Sequence, residues 1–81
     1  MTEVRIKLPG SAVIVTYASQ CERDRSLRLA EARQEIAERT GYIPPWEDLA
    51  DGDREMAVLE ARNWLRAAVR CGIADPCPAH G

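Results

Sequence analysis

Cys21, Cys71, Cys77 and His80 are the side chains of this sequence that could ligate a soft metal. The run Cys77-Pro78-Ala79-His80 has the two-residue gap that lets neighbouring ligands share one zinc ion, and the four donors together would close a structural site. Against this, no C-x-x-C pair is present and Cys21 stands far from the rest of the set. The same residues read as well without a metal, Cys21 and Cys71 as small apolar side chains on helix faces and Cys77 and His80 as tail. The expectation is no cofactor, with zinc as the alternative.

A second chemistry is suggested by Arg62, Arg66 and Arg70, spaced i, i+4, i+8 on one helical ridge, with Arg23, Arg25 and Arg28 as another cluster. Such a ridge can grip phosphates or an acidic partner surface. It can equally be the solvent face of a helix end, where cations complement the dipole. A third surface is the segment Tyr42, Ile43, Pro44, Pro45 and Trp46, which either anchors a partner or folds back as a latch over Trp64. Partner-binding candidates are therefore Tyr42, Trp46, Arg62, Arg66 and Arg70. The acids Glu47, Asp48, Asp51 and Asp53 crowd a helix start, where capping explains them. No Ser/His/Asp or Cys/His arrangement and no glycine-rich phosphate loop appears, so no enzyme is expected.

The elements that must carry these residues are legible. Val4, Ile6 and Leu8 alternate with Arg5 and Lys7, the period of a half-buried strand, and Leu8-Pro9-Gly10-Ser11 supplies a turn. Ala12 to Tyr17 is a second strand, apolar on both faces. Helices covering one face of this hairpin (4–17) leave the other face and the strand edge open, so a homodimer is expected through Val13, Ile14 and Val15. Ser19-Gln20-Cys21-Glu22 reads as a capping box opening a helix over 20–40, with Cys21, Leu29, Ala32 and Ile36 on its apolar side, flanked by Leu27, Ala30 and Ala37. A second helix over 51–71 carries Ala57, Val58, Ala61, Trp64, Leu65, Ala68 and Val69 on one face, is capped by Asp51 or Asp53, and ends at Gly72. Trp64, in the middle of that stripe, is the expected centre of the core. The tail 73–81 has two prolines and no periodicity and is expected to be flexible.

Pro45-Trp46-Glu47-x-Leu49 followed by Asp53-Arg54-Glu55 and a helix ending near Gly72 resembles the second half of the RyR-type repeat found in ryanodine receptors and some bacterial proteins. Leu29-Ala30-Glu31 with Ala37 and Gly41 is similar to that repeat's first helix. The likeness spans residues 27–72 and departs from the family at Ala32 and Gln34, where it carries Asn and His. The hairpin has no counterpart in that family. The resemblance implies a binding or regulatory module. In general style, with ten arginines to one lysine and no phenylalanine, the chain is also similar to small proteins of actinobacteria and their phages.

Eighty-one residues form one α+β domain, the hairpin packed on an antiparallel helix pair. No apolar run reaches the roughly 20 residues of a membrane span, and the first residues lack a signal core, so a cytoplasmic location is expected. Three cysteines without such a signal argue for reduced thiols. A net charge of −2 gives no global pull toward nucleic acid or anionic membrane. The expected function is a small, non-catalytic protein-interaction or regulatory module, homodimeric, with phage or mobile-element origin as one expectation. The alternative is a nucleic-acid-associated factor using the arginine ridge.

Overall fold

The computed structural model describes residues 2–41 and 43–78. Strands β1 (Val4–Lys7) and β2 (Ile14–Tyr17) pair antiparallel, Val4 opposite Tyr17 and Ile6 opposite Val15. Helix α1 (Gln20–Glu38) follows, then a short 3-10 turn (Trp46–Asp48) and helix α2 (Asp51–Arg70), which packs along α1. This is the α+β arrangement expected, with helix bounds within two residues of the expected ones.

Local chemistry explains each junction. In the hairpin, Ser11 N donates to Leu8 O at 3.1 Å and Gly10 has φ +74, a type II turn with Pro9 ahead of the glycine. Glu22 N donates to Ser19 Oγ at 3.2 Å, and Ala18 N donates to Glu22 Oε1 at 2.9 Å, a capping box whose return bond lands one residue upstream of the cap. At the far end of α2, Gly72 has φ +84, Gly72 N donates to Val69 O and Ile73 N to Ala68 O, which is a Schellman closure.

The start of α2 departs from expectation. Its cap is Ala50, and neither Asp51 nor Asp53 supplies a capping bond. Arg54 ties down this entry instead, donating from Nε to Trp46 O at 3.0 Å and from Nη2 to Glu47 O at 2.7 Å.

The core is built from Leu8, Val15, Tyr17, Ala30, Val58 and Ala61, with Val4, Ile6, Leu27, Trp46, Ala57 and Leu59 packed against it. Trp64 is not its centre: it is 66% exposed, while Leu65 beside it is buried. On α1 the buried residues are Ser26 and Ala30, and Leu29 (40%) and Ile36 (65%) are exposed. Small side chains, Ala30, Ala57 and Ala61, contribute to this core, and the larger apolar Leu29, Ile36 and Trp64 lie outward. Trp46 folds back onto the core but not over Trp64, which lies exposed on a different face, so the latch expected over Trp64 is not formed.

Candidate functional site

Three places hold the residues singled out above, beginning with the arginines. Arg23 on α1 forms a two-pronged ion pair with Glu55 on α2, Nη1 to Oε1 at 2.6 Å and Nη2 to Oε2 at 3.0 Å, with side chains only 14% and 19% exposed. Its Nη1 also donates to the Tyr17 hydroxyl at 3.3 Å, and the guanidinium lies 5.2 Å from the Tyr17 ring centroid. Arg62 sits 5.9 Å from the same ring and donates from Nη1 to Thr16 O at 2.7 Å. Burial pushes the Tyr17 phenol up, the Arg23 hydrogen bond partly offsetting it. Arg66 reaches back to Glu22, Nε to Oε2 at 3.0 Å and Nη2 to Oε1 at 2.7 Å, and this bond holds the Glu22 carboxyl below the usual range.

The arginine ridge is therefore largely occupied inside the molecule. Arg62 locks α2 to β2, Arg66 locks α2 to the start of α1, and only Arg70 of the three is exposed without a bond to another described residue. Sequence reasoning missed Glu55 as the counter-ion of Arg23, because the two are 32 residues apart and only helix packing joins them.

Arg62 also bears on the expected β2 contact. Leu8 N donates to Val13 O, so Leu8 and Val13 are a hydrogen-bonded pair, and by alternation Thr16 belongs to a non-bonded pair with its backbone groups aimed at the outer edge of β2. The carbonyl there already accepts from Arg62. Val15 is 5% exposed, its side chain inside the core, which corrects its assignment to a dimer contact. Val13 (53%) and Ile14 (58%) do face solvent.

The second place is an apolar groove of about 510 Å³ between the helices, floored by Leu29, Ile36, Ala61 and Trp64. Two residues on α2 span about 200° of rotation, so Trp64 points away from the side on which Arg62 grips the hairpin. On the groove's rim Arg33 Nη1 meets Glu60 Oε2 at 2.8 Å, both side chains more than half exposed. The large apolar residues that the helical periodicity marks for burial on α1, together with Trp64 of α2, thus share one open face.

The third place gathers two of the cysteines. Residues 73–78, expected to be free tail, fold back so that Arg25 Nη1 lies 3.5 Å from Cys77 Sγ. The hydrogen bond to Cys77 raises the Cys21 thiol. Burial pushes the Cys77 thiol up, but the bonds from Cys21 and Arg25 outweigh it and hold Cys77 below its ordinary value. Cys71 is apart, exposed at the end of α2 with Sγ 3.5 Å from Ala68 O. His80 and Tyr42 lie outside the described residues. Among the described residues no three His, Cys, Asp or Glu side chains converge as a metal site would require.

The Trp-Glu and Asp-Arg-Glu motif residues also meet in space, since Arg54 holds the Trp46 and Glu47 carbonyls while Glu55 pairs with Arg23. Among the described residues no helix is long and apolar enough to cross a membrane. Comparison with protein-family models, with curated proteins and with solved structures yields no match.

Proposed function

We propose that the chain is a small non-catalytic interaction module that works as a homodimer, joined through the open face of α1 and α2. The observation that carries this reading is the shared exposure of Leu29, Ile36 and Trp64 around one groove. Two thirds of a tryptophan surface of about 250 Å² is about 160 Å², and covering it stabilises a complex by about 4 kcal/mol per copy.

A second copy is the occupant the surface favours. Helices of 19 and 20 residues, each about 30 Å long and about 10 Å apart, present roughly 600 Å², at the lower end of what a stable interface buries per partner. The rim is charge self-complementary, because a two-fold axis lets Arg33 of each copy meet Glu60 of the other, and a net charge of −2 sets up little repulsion. Trp64 projects beside a groove that can receive the same residue of the partner. A binding module is also what the resemblance to the RyR-type repeat implies. Docking of nucleic acid on the arginine ridge is disfavoured, since Arg62 and Arg66 would have to leave Thr16 and Glu22.

Sedimentation across micromolar concentrations tests this. The wild-type chain should approach twice its 9.0 kDa mass as concentration rises, and Trp64→Ala and Ile36→Lys should each return the monomer with unchanged circular dichroism. A concentration-independent 9.0 kDa species, or variants that still dimerise, would overturn it. So would a wild-type monomer whose groove binds an unrelated amphipathic helix in a Trp64-dependent way, which would give the face to a different protein.

A further inference from the structure

A groove of about 410 Å³ lies between the start of α1, the end of α2 and the returning segment 76–78. It shares no lining residue with the open face of Leu29, Ile36 and Trp64. Its volume falls in the range of about 300–1,000 Å³ over which small organic ligands are held. Much of the lining is apolar, with Ala18, Leu65, Val69, Pro76 and Pro78, and Leu65 is buried. Water against such a surface is unfavourable, so an apolar body laid there is favoured.

The charges around that surface are unbalanced. Arg25, Arg66 and Arg70 line the groove, and among the described residues Glu22 is the one acid in its lining. Glu22 is taken up by Arg66, with bonds at 3.0 and 2.7 Å. Arg25 is half-buried, and among the described residues its side chain's one hydrogen bond goes to Cys77 Sγ at 3.5 Å. A guanidinium carries five N–H donors and sulfur is a weak acceptor, so most of that donor capacity meets no oxygen. Arg70 is exposed and makes no bond to another described residue. The carbonyls at the end of α2 do not call on it, because Cys71 N donates to Ala67 O, Gly72 N to Val69 O and Ile73 N to Ala68 O. Nor is the start of α1 what would hold an anion here, since the Glu22 amide is occupied by Ser19. Two guanidinium groups thus stand over an apolar floor, on a chain whose net charge is −2.

We propose that this groove binds a small amphipathic carboxylate, its charged end held by Arg25 and Arg70 and its apolar body laid on Leu65, Val69, Pro76 and Pro78. Each guanidinium presents a planar fork that matches the two oxygens of a carboxylate. A strongly hydrated anion such as phosphate gains nothing from the apolar floor. A neutral apolar molecule covers the floor but leaves the Arg25 donors without an oxygen. The two features together therefore select a ligand that carries both. Pro76 and Pro78 belong to an irregular segment, so a ligand touching them as well as both helices holds that segment against the ends of α1 and α2.

The probe is octanoate, kept below its micelle concentration and titrated into the full chain by calorimetry. One octanoate should bind per chain, and acetate, octanol and octyltrimethylammonium should each bind at least about tenfold more weakly. Arg25→Gln should weaken octanoate about tenfold, and Arg70→Gln, at a more exposed position, about threefold. Amide shifts on adding octanoate should centre on Ala18, Val69 and Cys77. Ile36→Lys, on the other face, should bind octanoate as the wild type does, whatever it does to assembly, so the two surfaces are tested separately. The proposal is overturned if octanoate does not bind at millimolar concentration, or if octanol or inorganic phosphate binds as tightly as octanoate. It is equally overturned if the two arginine variants leave the affinity unchanged, or if Trp64→Ala removes binding while they do not. The octanol and phosphate comparisons decide the matter on the wild-type chain, without any substitution.

Discussion

Replacing Glu55 by Gln keeps the shape of the side chain and removes its charge, and the structure sets the size of the effect. Arg23 would remain 14% exposed, with the Tyr17 hydroxyl at 3.3 Å and the Tyr17 ring at 5.2 Å as its remaining partners. Removing one member of a fully buried ion pair costs about 3–5 kcal/mol. Here the Gln oxygen keeps one of the two hydrogen bonds and the ring contact is retained, worth about 1 kcal/mol, which brings the expected loss to about 2 kcal/mol. An 81-residue domain has roughly 4–12 kcal/mol in all, so the change is a large fraction. Urea unfolding followed by circular dichroism, with a slope of about 1 kcal/mol/M, should show the midpoint falling by about 2 M. Arg23→Met should cost a similar amount, and the double variant Arg23→Met/Glu55→Leu should recover most of the loss, because no charge is then left buried without a partner. A midpoint shift under about 0.5 M for Glu55→Gln, or strictly additive losses in the double variant, would refute the reasoning that this pair is the polar joint between the helices.

Measured on dilute chain, Trp46→Ala should cost roughly 2–3 kcal/mol and Trp64→Ala under about 1 kcal/mol, since the first packs on the core and the second on solvent; urea melts showing the reverse order would contradict the placement of the two rings. Ala50→Ser should raise stability by about 1 kcal/mol in the same melts, because Ala50, at φ −65 and ψ 154, occupies a cap position that lacks a side-chain acceptor. The lowered Glu22 carboxyl, held down first by Arg66 and then by the Ala18 amide, stabilises the fold above the ordinary carboxylate pKa of about 4.3 and loses that contribution as pH falls through its own lower value. Arg66→Gln should therefore be less stable than wild type at neutral pH, by less than about 1 kcal/mol because Arg66 is 47% exposed, and the gap should close in acid; a gap constant with pH would exclude the ion pair as its source.

The sequence by itself determined most of what is governed by neighbours along the chain, the cap of α2 excepted. The Pro9-Gly10 turn, the Ser19/Glu22 cap, the Gly72 closure and the two helices follow from residues a few positions apart, and each is in place. Which face of the hairpin turns inward was not legible, because β2 is apolar on both faces; packing put Val15 and Tyr17 inside, against the expectation that Val15 meets a second chain. What the sequence also did not determine is the rotation of each helix about its own axis. Periodicity marks a broad apolar face containing both Leu65 and Trp64, and on α1 it marks Leu29 and Ile36 ahead of Ser26 and Ala30. Packing of the helices on each other and on the hairpin put the small Ala30, Ala57 and Ala61 in or against the core and left Leu29, Ile36 and Trp64 out. The arginines obeyed the same rule: i, i+4, i+8 spacing gives a ridge, but only packing brings the Thr16 carbonyl to Arg62 and Glu22 to Arg66, as it brings Glu55 to Arg23 on α1, and converts a binding surface into internal joints. Cys77 was grouped with Cys21 only as a candidate metal ligand, and its place beside Arg25 lay beyond sequence reach, because a contact across 52 positions depends on where an irregular segment is laid down after both helices have set the groove that receives it.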